Sequence, residues 1–347
     1  VHQLQQSVKA VVLVGGFGTR LRPLTLRTPK QMLPIVDRPM IEWVIAHLGR
    51  HGVDQAVLAL GYRADAFVDA YPDGRCAGVD LHYAVEDEPL DTAGAIRFAA
   101  RDAGISERFI VMNADVLTDL DVTALVAFHD RAGAEATITL HEVEDPSRYG
   151  VVPTDDEGRV VAFVEKPPAD EAPTNMINAG IYVLEPSVLD RIAGDRRVSI
   201  ERETFPALVD SRSLYAMPDG GAYWLDTGTP ETYIRAQLDL FDGSRPAPPG
   251  VALRAVADSA VVAPSASVRD SVLGAGVRVD DDAEVVGSIV QAGTHIGAKA
   301  QVHSSIIGSR AVVGARSTVE ALTIVGDGER IEAGTTLRNA RVPSSAE

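Results

Sequence analysis

Two different periods of apolar residues divide the chain. Up to about Asp242, short β-prone runs alternate with amphipathic stretches. Residues 10–14, 55–60, 109–112 and 137–143 read as strands, and the apolar positions of residues 40–50 fall on one face of a helix. Alternation of this kind predicts an α/β fold, a Rossmann-like, mostly parallel mixed sheet with helices on both faces. Such sheets bind ligands beyond the carboxyl ends of their strands.

The Pro-rich run at 245–250 interrupts this pattern and reads as a linker. After it, Leu273, Val279 and Val285 stand six apart, as do Val290, Ile296 and Val302, and Ile307, Val313 and Val319. Leu273, Val290 and Ile307 are 17 apart, and Val325, Ile331 and Leu337 continue the series. An amphipathic helix does not hold a period of six. One inward aliphatic residue per flat side describes a triangular coil, and the pattern resembles the hexapeptide-repeat left-handed β-helix. The expected domains are therefore 1–244 and 251–343. Coils of this type serve stability and assembly, which predicts a homo-oligomer. His295 and His303 are read as surface or rung residues rather than as a base for acyl transfer.

The formal net charge of -17 argues against nucleic acid and anionic membrane surfaces as partners. It leaves room for an anionic small substrate, since a local basic cluster outweighs the global field. No apolar run reaches the roughly 20 residues of a membrane helix, and the polar start of the chain carries no leader core. A single cysteine, Cys76, excludes an internal disulfide framework; it sits in a Gly/Asp/Arg loop and is read as inert. A cytoplasmic location is expected. Of the 32 basic residues only Lys9, Lys30, Lys166 and Lys299 are lysines. A lysine kept against that bias is expected to serve as a compact point charge.

The segment VVLVGGFGTRLRPLT at 11–25, followed by Pro29 and Lys30, is the most specific in the chain. It has neither the Gly-Lys-Ser/Thr of a Walker loop nor the dinucleotide fingerprint. Gly15, Gly16 and Gly18 let backbone amides approach a triphosphate. Arg20 offers a planar cation for two phosphate oxygens, and Lys30 a second charge. Read with Asn113-Ala-Asp115, Tyr149-Gly150, Glu165-Lys166-Pro167, Asn178-Ala-Gly180, the run at 199–206 and the run at 224–230, it resembles the sugar-1-phosphate nucleotidyltransferase family. That family includes mannose-1-phosphate guanylyltransferases and glucose-1-phosphate thymidylyltransferases, and the trailing coil is similar to its longer, guanylyltransferase-like members.

The resemblance implies in-line attack of a sugar phosphate oxygen on the α-phosphate of a nucleoside triphosphate, with pyrophosphate leaving. It implies Arg20 and Lys30 as catalytic cations, and Leu13, Gly15, Gly16, Gly18, Thr19, Glu86 and Thr92 around the nucleotide. Asn113, Gly150, Glu165, Lys166 and Asn178 would hold the sugar phosphate. Asp115 and Asp226 would hold Mg²⁺, with Mn²⁺ as a substitute; from spacing alone, either carboxylate equally reads as a turn cap. Without the family, Glu165-Lys166-Pro167 reads as a solvated loop.

Base choice is expected to lie in residues 86–94 and to fall to Glu86, where thymidylyl and uridylyl members carry glutamine; the alternative is that Glu86 points to solvent and backbone groups read the base. A carboxylate only accepts, and guanine offers two adjacent donors, so GTP is the expected nucleotide. Asp91 stands where the family has glycine, and either turns outward or adds a carboxylate to the pocket. Ala114 likewise replaces a glycine. Mannose 1-phosphate is the default acceptor. A cyclitol phosphate such as valienol 1-phosphate is an alternative, as is thymidylyl transfer to glucose 1-phosphate. A non-catalytic nucleotide-sugar-binding subunit is a further reading, although such proteins lose the cations or carboxylates that this chain keeps.

Overall fold

The computed structural model describes residues 8–61 and 63–344. The start of the chain at 1–7, where a leader core was sought in the sequence, lies outside them. The fold divides into two compact units. The first runs to Gly15 and resumes over Ile41–Trp224; the second joins Gly16–Met40 to the chain from Leu225 onward.

The first unit is built on a mixed sheet. β1 (Val8–Val14), β2 (Val53–Leu60), β3 (Val79–Val85) and β4 (Phe109–Asn113) are parallel, in the spatial order β4-β1-β2-β3. Ala10, Val11 and Val12 of β1 have no exposed surface, as expected of an unbroken apolar run in a strand covered on both faces. β5 (Ala136–Glu142), β6 (Gly150–Val151), β7 (Val164–Glu165), β8 (Met176–Leu184) and β9 (Leu214–Pro218) extend the sheet beyond β4. β8 runs antiparallel to β4, β5 and β6, and β9 parallel to β5.

Helix α1 (Met40–Arg50) buries Ile41, Val44, Ile45 and Leu48, the stripe its spacing predicts. α2 (Asp91–Asp102) packs Ala93, Ile96, Ala99 and Ala100 against β1, β2 and β3. α3 (Val122–Ala132) is capped by Asp121, which accepts from the Ala124 amide, and ends on left-handed Gly133. Among the described residues no helix is long and apolar enough to cross a membrane.

In the second unit, three five-stranded parallel sheets form the expected left-handed β-helix. Leu273, Val290, Ile307, Val325 and Val342 pair in register up one side. The hexad aliphatics form its interior. At one corner the Ser288 and Ser305 amides donate to the Ser271 and Ser288 hydroxyls, each 3.1 Å away, so buried backbone finds partners coil after coil. The step from Ile307 to Val325 carries one residue more than the 17-residue repeat. Ala321 and Leu322, both with positive φ, absorb it at that corner. His295 is a rung residue, bonded to Asp280 at 2.7 Å. The supposed linker begins on Arg245, which is buried and whose amide donates to Asp239 O.

Segment 16–40 is fastened within this second unit. The Val36 amide donates to Gln237 Oε1 at 3.0 Å, and the buried hydroxyl of Tyr233 donates to Pro34 O. Gln291 of the β-helix donates to the same hydroxyl at 3.3 Å. Both Tyr233 and Gln237 lie on α4 (Pro230–Leu238), which starts with a Thr229/Thr232 capping box. Tyr233→Phe is expected to strand two buried polar groups and lower stability by about 1–3 kcal/mol. A thermal melt shows this as a lower midpoint; an unchanged midpoint would contradict the role given to that hydroxyl.

Candidate active site

The parallel strands of the first unit deliver several predicted residues to one edge of the sheet. Leu13 pairs with Ala59 on one side and Asn113 on the other, and the Ala114 amide donates to Leu13 O at 3.0 Å. Gly15, Asn113 and Asp115 thus leave adjacent strands at the same end. Glu86 leaves β3 there too, its amide donating to Leu60 O at 2.8 Å. Asn113 lies against Gly180: a Cβ on Gly180, whose φ is +77°, would stand 2.6 Å from Asn113 Nδ2.

Glu86 Oε2 accepts from the Leu90 amide at 3.1 Å. Partial burial pushes its carboxyl up from the ordinary value, and that amide opposes the shift. Asp91 has φ +64°, the backbone of a glycine, and its exposed carboxylate accepts from the Thr92 amide at 2.8 Å. Of the two orientations open from the sequence, this exposure and the bond within the first turn of α2 fit the outward one. The Thr92 hydroxyl donates to Glu201 Oε2 at 2.9 Å and accepts from the Ile200 amide at 2.8 Å, which ties the 86–92 loop to segment 198–201.

Gly150 pairs with Glu165 across β6 and β7. A Cβ on Gly150 would meet the Phe163 ring at 2.6 Å and Glu165 Oε2 at 3.2 Å, so a larger residue would displace them. Lys166 takes a positive φ of 50°, its amide donates to Tyr149 O, and its Nζ stands 2.9 Å from Glu165 Oε1. Asn178 sits at an irregularity of β8, donating to the Tyr182 hydroxyl at 3.0 Å and accepting from the Gly180 amide at 3.1 Å.

The second unit holds the remaining predicted residues. Gly16 and Gly18 have φ of +92° and +59°. Gly18 O accepts from the Thr25 hydroxyl at 2.8 Å and closes the turn at Thr19–Leu21 through the Leu21 amide. Lys30, 7% exposed, packs against that turn. Asp226 Oδ1 accepts from the Gly228 amide at 2.8 Å, a bond of the turn that follows it. Arg20 flanks the same glycine, Nη1 lying 3.6 Å from where a Cβ would stand. Among the described residues no group of three or more His, Cys, Asp or Glu side chains gathers to hold a metal; a pair of carboxylates is not such a group.

Residues 9–243 match the family described as "Nucleotidyl transferase". The chain belongs to the nucleotidyl transferase family. Residues 252–346 match the "GMPPB C-terminal domain". Over 288 residues this nucleotidyl transferase is 41% identical to a protein of Mycobacterium tuberculosis named mannose-1-phosphate guanylyltransferase, covering 79% of this chain and 78% of that one. A mannose-1-phosphate guanyltransferase of Schizosaccharomyces pombe is 44% identical over 232 residues, 65% of this chain and 62% of its own length. The chain thus spans less than two thirds of that relative. Among solved structures, HddC from Yersinia pseudotuberculosis complexed with GMP-PN superposes with a TM-score of 0.56 at 30% identity, covering 66% of this chain and 98% of that one.

Sequence reasoning gave Trp224 no role and missed His141. The Trp224 ring stacks on His141 (centroids 4.9 Å apart), meets Tyr149 edge-on, and donates to Ala179 O at 2.9 Å. His141 is held by Asp219 at 2.6 Å. The signal available was Trp224 itself, one of two tryptophans, immediately before Leu225-Asp226. Cys76, by contrast, is remote from this chemistry. It is buried, and desolvation together with the Glu42 carboxylate pushes its thiol up to about 12. The thiol form, the poor nucleophile, is thereby favoured at neutral pH. Iodoacetamide is expected to label native protein far more slowly than protein in urea; equal rates would contradict this burial.

Proposed function

We propose that this nucleotidyl transferase moves GMP from GTP to a sugar 1-phosphate, mannose 1-phosphate by default, and releases pyrophosphate. The observation that carries the reading is Glu86. Its carboxylate is partly desolvated and accepts from the Leu90 amide. An acceptor already stripped of part of its water gains most from two neutral N–H donors, which guanine N1 and N2 present side by side. Thymine, uracil and adenine each set an acceptor against it. The relatives' names point the same way and do not favour thymidylyl transfer, the cyclitol acceptor or a non-catalytic role.

In-line transfer between two phosphates is a matter of positioning and charge. Arg20 and Lys30 would offset charge on the α- and leaving phosphates, and Lys166, oriented by Glu165, would receive the sugar phosphate. Asn113, Gly150 and Asn178 would face the sugar, and Gly150 allows the close backbone approach that a side chain there would block. The backbone of Leu13, Gly15, Gly16, Gly18 and Thr19 would line the nucleotide, with Thr92 holding the loop that carries Glu86. Asp115 and Asp226 offer hard carboxylate oxygen, the donor chemistry that fits Mg²⁺ or Mn²⁺. Such an ion, when bound, would supply charge stabilisation at phosphate oxygens. We also keep the division into domains 1–244 and 251–343, a cytoplasmic setting, and self-association through the β-helix as parts of this proposal.

Catalytic efficiencies measured with GTP, dTTP, UTP and ATP test the reading. GTP is expected to lead, and Glu86→Gln to lower the GTP value by about tenfold to a hundredfold, the worth of a paired base contact. A dTTP preference in the unaltered protein would sink it. Because the exposed Asp91 carboxylate is engaged by the Thr92 amide, Asp91→Gly is expected to leave the ratio of rates with mannose and glucose 1-phosphates unchanged. A changed ratio would put that carboxylate in the pocket.

A further inference from the structure

A cavity of about 300 Å³ in the first unit lies behind the nucleotide loop, lined by residues that include Leu90, Gly94, Arg97, Arg101, Gly194 and Arg196. Three guanidinium groups meet there on a chain of net charge -17. Two have carboxylate partners: Arg101 with Asp190 at 3.0 Å, and Arg196 with Glu203 at 2.6 Å. Arg97 is different. Among the described residues it has no hydrogen-bond or ion-pair partner, and its Nε is buried without an acceptor. The one carboxylate in the lining, Asp102, is bonded to His82 at 2.7 Å.

The guanidinium of Arg97 lies across Gly194, where a Cβ would stand 2.6 Å from Nη1 and 2.7 Å from Nη2. The fold thus makes room for a half-buried cation, and the described residues supply nothing to satisfy its guanidinium, an arrangement that costs free energy unless something else does. A guanidinium fork matches a phosphate with two parallel bonds. The ion pairs of Arg101 and Arg196 are largely exposed, so turning either cation toward a bound anion loses little.

We propose that this cavity binds the phosphate group of a small metabolite, with Arg97 as its principal ligand. The size is at the lower end for small-molecule sites. The site also has a route to the nucleotide loop. The Leu90 amide holds Glu86 Oε2, Leu90 O accepts from the Val198 amide, and the Ala93 and Gly94 amides both donate to Val198 O. The two walls of the cavity, 90–97 and 193–196, are stitched together through these bonds. An anion that draws the walls closer would stiffen the loop that presents Glu86.

The inference stands apart from the reading of the active site, because its first readout is binding. Inorganic phosphate and glucose 6-phosphate are titrated calorimetrically into the full chain, with GTP saturating and no sugar 1-phosphate. Binding is expected in the unaltered protein, weakened about tenfold or more by Arg97→Gln and partly restored in Arg97→Lys. Tighter binding of glucose 6-phosphate identifies a phosphorylated metabolite as the ligand, and equal binding the free ion. No binding to the unaltered protein, or the same binding to Arg97→Gln, overturns the proposal. Gly194→Ala, which displaces the guanidinium, is a second variant and should also lose binding. In turnover, phosphate should shift KM for GTP in the unaltered protein more than in Arg97→Gln; equal shifts overturn the link to the loop.

Discussion

β1 is buried along its middle between two parallel neighbours, and the layout of the first unit follows from that. A strand covered on both faces and paired on both edges has its backbone groups satisfied along its length, so ligand-binding amides are to be sought where the ladder stops. Because β2, β3 and β4 run the same way, their ladders stop at one edge. Gly15, Glu86 and the Asn113–Asp115 turn leave the sheet there. The antiparallel β8 brings Gly180 against Asn113, where a larger residue would have no room.

The chemistry has to bring two polyanions together on an acidic chain. The cations proposed for that task, Arg20 and Lys30, are few and placed with support. Lys30 is nearly buried against the Gly18 turn, where a charge interacts more strongly than it would in water. Arg20 and Asp226 share the neighbourhood of Gly228. The segment carrying Arg20 and Lys30 is fastened by Tyr233 and Gln237, and Gln291 of the β-helix reaches the same tyrosine. Gln291 of the β-helix thus helps to hold the segment that carries Arg20 and Lys30.

Where one period dominates, the sequence was easy to read. The strands at 10–14, 55–60, 109–112 and 137–143 and the helix Met40–Arg50 all recur in the structure, because each is a short apolar run or stripe facing one core. The hexad register is legible for the same reason, up to the extra residue at Ala321 and Leu322. The direction of β8 is not legible, since an apolar run of nine residues reads alike in a parallel or an antiparallel strand. Nor does any local pattern assign Gly16–Met40 to the unit that holds the β-helix; partners some 200 residues away, Gln237 and Tyr233, decide that. The outward turn of Asp91 depends on a backbone angle, and the orphaned Arg97 on the absence of partners. Neither is written in residue order.

The central claim is nucleotidyl transfer between GTP and a sugar 1-phosphate. Its most direct test is release of pyrophosphate by the full chain from GTP, with and without mannose 1-phosphate, in Mg²⁺ and after addition of EDTA. The account predicts release that requires the sugar phosphate, stops with EDTA, and appears together with GDP-mannose in equal amounts. Release without the sugar phosphate, or none under any of these conditions, would contradict it.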